Sequence, residues 1–140
     1  NTAAVVGQAE LPADTITQAV CNVQRCVVNA ALFDTALDFA VRDWARRSGK
    51  VRSLLDRSDA RRVEALTQMF LRYGYASLEA MTRAKVLYYM QLGYDMAEPN
   101  ESYAHRLEMT PQYLKVFTGR EPSAIELDEF SEFTRNHWDL

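Results

Sequence analysis

Between Ser77 and Ala97 the apolar residues do not keep to a single stripe. At 3.6 residues per turn, Ala84, Leu87, Tyr88 and Gln91 share one face, while Val86, Tyr89, Met90, Gly93 and Ala97 share another. A helix apolar on two sides must bury both. One side can meet the domain's own core. In a chain of 140 residues the other is expected to meet a second subunit, because there is no large bundle to surround it.

The neighbouring segments have helical periods too. Residues 1–12 show no period and contain Gly7 and Pro12, so they are expected to form a loop or frayed arm. A helical domain is expected over 13–137. Its first helix, near 14–29, opens at Asp14 as N-cap and carries Ile16, Ala19, Val20, Val23 and Val27 at helical spacing. A second helix, near 33–48, has the stripe Phe33, Leu37, Ala40, Val41 and Trp44, with Asp34 at its start, Arg46 and Arg47 in its last turn and Gly49 as stop. The third, near 50–73, keeps Val51, Leu54, Leu55, Ser58, Leu66, Met69, Phe70 and Tyr73 on one side. Its other side is charged, with Arg52–Asp56 and Asp59–Arg62 spaced for ion pairs, and Ser58–Asp59 marks an expected kink. Ser77 reads as the cap of the fourth helix.

Beyond the Pro99–Asn100 turn, Thr110–Pro111 reads as N-cap and first turn of a short helix that Gly119 closes. Ser123 and Glu126 form a capping box for a last helix near 123–136, whose apolar face is Ile125, Leu127, Phe130 and Phe133. No segment alternates with period two. The fold class expected is all-α, an antiparallel bundle of about five to six helices.

A chain this long buries roughly 68–70% of its unfolded surface and needs no staples. Net charge is −3, which gives no global electrostatic case for nucleic acid. Charge is nonetheless uneven: Arg42–Arg62 holds eight basic residues against three acids, and Glu121–Leu140 six acids against one arginine. Cys21 and Cys26 lie five apart, a spacing that points them to different sides of a helix and suits neither a disulfide nor a zinc site; two reduced, semi-buried thiols in a cytoplasmic protein are expected. No run is long enough to span a membrane, and no signal peptide is recognisable.

Catalytic chemistry has little support. Glu101, His105 and Glu108 would share a helical face, but one incomplete carboxylate–histidine set falls short of the ligand count of a di-iron bundle. There is no phosphate-cradling glycine loop and no nucleophile elbow. No enzyme, metal or cofactor is expected. The clustered aromatic and thioether side chains are more informative. They suit ordinary core packing first, and alternatively the wall of a cavity for a small apolar or amphipathic ligand.

The segments RDWARRSGKVRSLL, DRSDARRVEALTQMFLRYGY and RAKVLYYMQLG, in that order, resemble the C-terminal domain of TetR-family transcriptional regulators over roughly residues 33–97. The resemblance implies a helical domain that pairs with itself and holds a small effector among its helices. Effector binding would shift the DNA affinity of an N-terminal helix-turn-helix domain, which has no counterpart before Asp14; the chain, which begins at Asn1, is expected to be the regulatory domain alone. The pocket candidates are Val23, Val27, Phe39, Trp44, Leu66, Met69, Phe70, Tyr73, Tyr88 and Gln91. The dimer candidates are Val86, Tyr89, Met90, Gly93 and Ala97, followed by Phe130 and Phe133. The alternative is a helical protein–protein interaction module without a ligand.

Overall fold

The computed structural model describes residues 1–137, and among these the regular structure is entirely helical. In chain order the elements are α1 (Thr2–Ala9), α2 (Ile16–Val28), α3 (Thr35–Ala45), α4 (Gly49–Arg72), α5 (Ser77–Ala97), α6 (Tyr103–Thr118) and α7 (Ala124–His137). The long helices α4 and α5 pack along each other, α1 and α3 lie against α4, and α2 lies between α1 on one side and α6 and α7 on the other. The all-α bundle expected from the periodicity is therefore present.

Its main core joins α2, α4, α5, α6 and α7. Ile16, Val20, Leu66, Met69, Phe70, Leu87 and Leu114 are at most 2% exposed. Phe70 meets the Tyr75 ring edge-on at 5.4 Å between centroids. At about 1.5–3 kcal/mol for each fully buried large apolar side chain, this cluster is the main source of stability.

Local caps follow the sequence in part. Asp34 accepts from Leu37 N–H at 2.9 Å, as a helix start should. Ser123 and Glu126 form their reciprocal box, at 3.2 and 3.3 Å. Glu126 also accepts from Thr15 at 2.6 Å and from Thr17, which ties the start of α7 to the start of α2. Gly119 closes α6 with φ +71°, a region open to glycine at little cost.

Several expectations need correction. The arm over 1–12 is a helix for most of its length. Eight residues cannot hold a helix alone, so tertiary contacts hold α1. Val5 and Ala9 are buried, and the Asn1 side chain exchanges hydrogen bonds with the Asp34 backbone at 2.7 and 2.8 Å. Thr15, not Asp14, caps α2 by accepting from Gln18 N–H. Ala76 takes the cap position of α5, and Ser77 is already helical. The helix expected to begin at Thr110–Pro111 begins at Ser102, whose hydroxyl accepts from His105 N–H. Pro111 lies inside α6; it forfeits one backbone bond, and the packing of both halves of the helix holds it straight enough to continue.

The second helix is rotated from its expected face. Leu37, Phe39 and Trp44 are about half exposed, while Asp38 and Ala45 are buried. Asp38 faces inward because two arginines meet it. Arg42 Nε lies 3.0 Å from one carboxylate oxygen and Arg62 Nη2 lies 3.0 Å from the other. Arg42 also grips Asp59 with both terminal nitrogens, at 2.9 and 2.7 Å. The Tyr88 hydroxyl donates to Asp59 and accepts from Arg42 and Arg62 at 3.0 and 3.2 Å. Arg62 Nε reaches Thr2 Oγ1 at 3.0 Å. Asp59 and Arg62, expected as a surface pair beside a kink, thus both turn inward from an unbroken α4. Burial raises the Asp59 carboxyl, but hydrogen bonds from Arg42 and Tyr88 and the two guanidinium charges outweigh it and hold the pKa below the ordinary value.

Two outcomes follow. Arg62 is 3% exposed, and Arg62→Ala leaves Asp38 and Tyr88 short of a buried partner; urea unfolding should show a loss of about 3–5 kcal/mol. Because the folded pKa of Asp59 is lowered, its contribution is present above the unfolded carboxyl range and lost as pH falls through the folded value. The urea midpoint of the wild type should therefore drop below about pH 4, and Asp59→Asn should show a shallower acid dependence. An unchanged slope would remove Asp59 from the network's energetics.

Candidate functional site

Where α2, α5, α6 and α7 converge, their side chains do not close. A chamber of about 100 Å³ remains between them. Its apolar wall is Val28, Met90, Leu107, Leu114, Phe117 and Phe130, and three tyrosines, Tyr94, Tyr103 and Tyr113, add rings with a polar edge. Gln24, Gln91, Thr110 and Thr134 supply neutral polar groups, and Glu101 and Arg106 supply charge. Such a lining, mostly apolar with a few placed polar groups, is that of small-molecule sites.

Geometry orders the polar groups. Tyr94 donates to Glu101 at 2.6 Å, and the Arg106 guanidinium lies over the Tyr94 ring at 4.7 Å. Burial, then the bond to Glu101, pushes the Tyr94 hydroxyl up to about 12, so it stays a donor at neutral pH. Tyr103 reaches the Ser131 carbonyl and the Thr134 hydroxyl, both at 3.1 Å, and so pins α6 to α7.

Two further spaces adjoin. A void of about 40 Å³, lined by Val5, Val23, Val27, Phe33, Leu66, Leu87 and Tyr88 among others, lies toward α1 and α4. A wide groove opens at the surface between the end of α2, the start of α3 and the end of α5. Gln24 and Gln91 line all three spaces and stand at their junction. Asp95 lines the void and the groove, and accepts from Gln91 Nε2 at 2.9 Å. Burial raises the Asp95 carboxyl above its usual range, an effect that the Gln91 bond offsets only in part.

The pocket candidates divide accordingly. Val23, Val27, Leu66, Tyr88 and Gln91 surround the small void, and Gln91 also enters the chamber. Met69 and Phe70 are wholly buried in the filled core. Tyr73 donates to the Ala13 carbonyl at 2.6 Å. Phe39 and Trp44 lie on the outside of α3, 51% and 57% exposed, because Asp38 takes the inner face. The dimer candidates divide too. Val86, Tyr89, Gly93 and Ala97 are exposed. Met90 and Phe130 instead line the chamber, and Phe133 lies beneath Arg25 at 5.3 Å and against His137 at 4.1 Å.

Most of the chamber's wall was not foreseen. Tyr94, Tyr103, Arg106, Leu107 and Tyr113 sit on α6 or at its contact with α5. A helix start assigned at Thr110 hid the first half of α6, and the i, i+3, i+4 series Tyr103, Arg106, Leu107, Thr110, Leu114 was the missed signal. Glu101 pairs with His105 at 3.4 Å, while Glu108 is exposed; among the described residues no group of three such side chains could hold a metal ion. Cys21 and Cys26 are buried free thiols. Burial pushes the Cys21 pKa up to about 12 and raises that of Cys26, so neither is poised as a nucleophile. Among the described residues, no helix is long and apolar enough to cross a membrane.

Comparison with known proteins leaves the site to be read from its own chemistry: no family model, no curated protein and no solved structure matches the chain.

Proposed function

We propose that the chain is the effector-binding and dimerisation domain of a TetR-like transcriptional regulator. The observation that carries the reading is the aromatic and polar chamber between α2, α5, α6 and α7, joined through Gln24 and Gln91 to a surface groove. A helical module that only docks other proteins has no need to hold such a space open, because filling it would gain packing energy. The residue pattern over 33–97 supplies the regulatory context.

Dimerisation is read from α5. Leu78, Val86 and Tyr89 are 75%, 45% and 53% exposed on its outer side, and Val116 of the antiparallel α6 is 66% exposed nearby. Arg83 fixes the relation of the two helices by donating to the Val116 and Phe117 carbonyls. The second helix of the proposed interface is thus α6, in place of α7, whose Phe130 is used inward. DNA binding would belong to a helix-turn-helix segment outside residues 1–140, and effector binding would act by favouring one spacing of two such segments. A gene encoding no such segment on the same polypeptide removes the DNA-binding half of the reading.

A thermal-shift screen with small apolar and amphipathic compounds tests the chamber. A ligand specific for the folded state raises the apparent melting temperature, by an amount that grows with concentration. Leu107→Trp, which fills the chamber, should abolish that rise. A screen without hits would favour the ligand-free interaction module.

Gly93 tests the dimer. Gly93 is exposed, and beyond its own helix backbone and chain neighbours no atom lies within 4 Å of a Cβ built there, so Gly93→Leu should be accepted by the isolated protomer and, by helix propensity, stabilise α5 by about 0.5–1 kcal/mol. The same side chain would hold two α5 helices apart. Light scattering should report a dimer for the wild type and a well-folded monomer for Gly93→Leu. Survival of the dimer would move the interface elsewhere.

A further inference from the structure

The groove that leads to the chamber has a definite electrostatic sign. Its charged lining is Asp34 from the start of α3, Asp95 and Glu98 from the end of α5, Arg106 from α6 and His137 from α7, and Glu101 stands at the chamber beyond. Among the described residues no lysine lines either space. Arg106 is already engaged over the Tyr94 ring.

Backbone fields have the same sign. The groove runs past Val28 and Ala30 at the C-terminal end of α2, and past Glu98 and Pro99 at that of α5. Helix C-termini carry partial negative charge. The positive N-terminus of α3 also faces the groove, but the Asp34 carboxylate covers it. Asp95, partly buried between groove and void, has a neutral amide as its hydrogen-bonding partner. The Arg106 charge offsets the cost of partly burying this carboxylate only in part, and a cationic ligand relieves what remains. Behind the groove stand the rings of Tyr94, Tyr103, Tyr113, Phe117 and Phe130. Aromatic faces attract cations, and Arg106 on Tyr94 shows this wall accepting one.

We propose that the groove and chamber select a small organic cation, an amine or quaternary ammonium group carried on a compact apolar body. The cationic head sits between Asp95 and Glu98, and the body passes Gln24 and Gln91 into the aromatic chamber. This inference rests on the chamber being an effector site. It adds the charge of the effector to that reading.

Calorimetric titration of the 140-residue chain with three matched probes tests it: benzyltrimethylammonium, its uncharged isostere neopentylbenzene, and the anion 3-phenylpropanoate. The cation should bind at least about tenfold more tightly than either, a difference of about 1.4 kcal/mol. Its affinity should fall as salt is raised, because the groove is solvent-accessible. Asp95→Asn should weaken it about fivefold without lowering the melting temperature of the unliganded protein. Equal or tighter binding of the neutral or anionic probe overturns the charge selectivity and leaves the effector-site reading standing. Absence of cation binding at millimolar concentration overturns the inference whatever the broader thermal-shift screen finds, and that screen alone decides the effector-site reading. The salt series needs no substitution, so a misfolded variant does not shield the proposal.

Discussion

Four helices are fastened at one buried polar knot. Arg62 and Asp59 come from α4, Asp38 and Arg42 from α3, Tyr88 from α5 and Thr2 from α1. The two arginines and two aspartates balance formally, and the Tyr88 hydroxyl fills the geometry between them. A charged pair in an apolar setting repays its desolvation only when its remaining donors and acceptors are met. Here the Arg62 nitrogens are met by Asp38, Tyr88 and Thr2. That requirement rotates α3, and its consequence is visible outside: Leu37, Phe39 and Trp44 are turned toward solvent. It also gives α1 a reason to exist as a helix, since Thr2 completes the arginine.

Tyr88 belongs to the knot through its hydroxyl and to the small apolar void through its ring. Gln91, one turn further along α5, joins that void to the chamber and the groove. The helix that bears the exposed apolar stripe is thus also the one that touches the knot, the void and the chamber. An effector that presses on Gln91 would act on the element proposed to pair with a second subunit. That adjacency is the physical route by which the proposed binding and the proposed pairing would be coupled.

Much was legible from residue order. The limits of α4 and α5, the Asp34 cap, the Ser123–Glu126 box and the Gly119 stop rest on interactions within a few residues of each other, which local sequence specifies directly. The errors have an equally physical pattern. α1 has no periodic stripe, and distant partners on α3 and α4 hold it. Pro111 carries a strong local signal for a helix start, yet tertiary packing overrides one missing hydrogen bond. The chamber was missed in part because Tyr103, Arg106, Leu107 and Thr110 lie on the half of α6 that the proline appeared to exclude. Aromatic clustering correctly marked helices rich in large side chains, but it cannot separate Phe70, which fills space, from Tyr94, which borders an empty one.

What the residues alone determined is the all-helical character, most helix limits and the two-sided apolar nature of α5, because periodicity and capping are local properties of the chain. The tertiary structure decided which faces turn inward, and with them the knot, the chamber and the groove. Asp38 and Arg62 look like surface charges in any local window. Only the meeting of α1, α3, α4 and α5 supplies the partners that let them be buried while Leu37 and Trp44 face solvent.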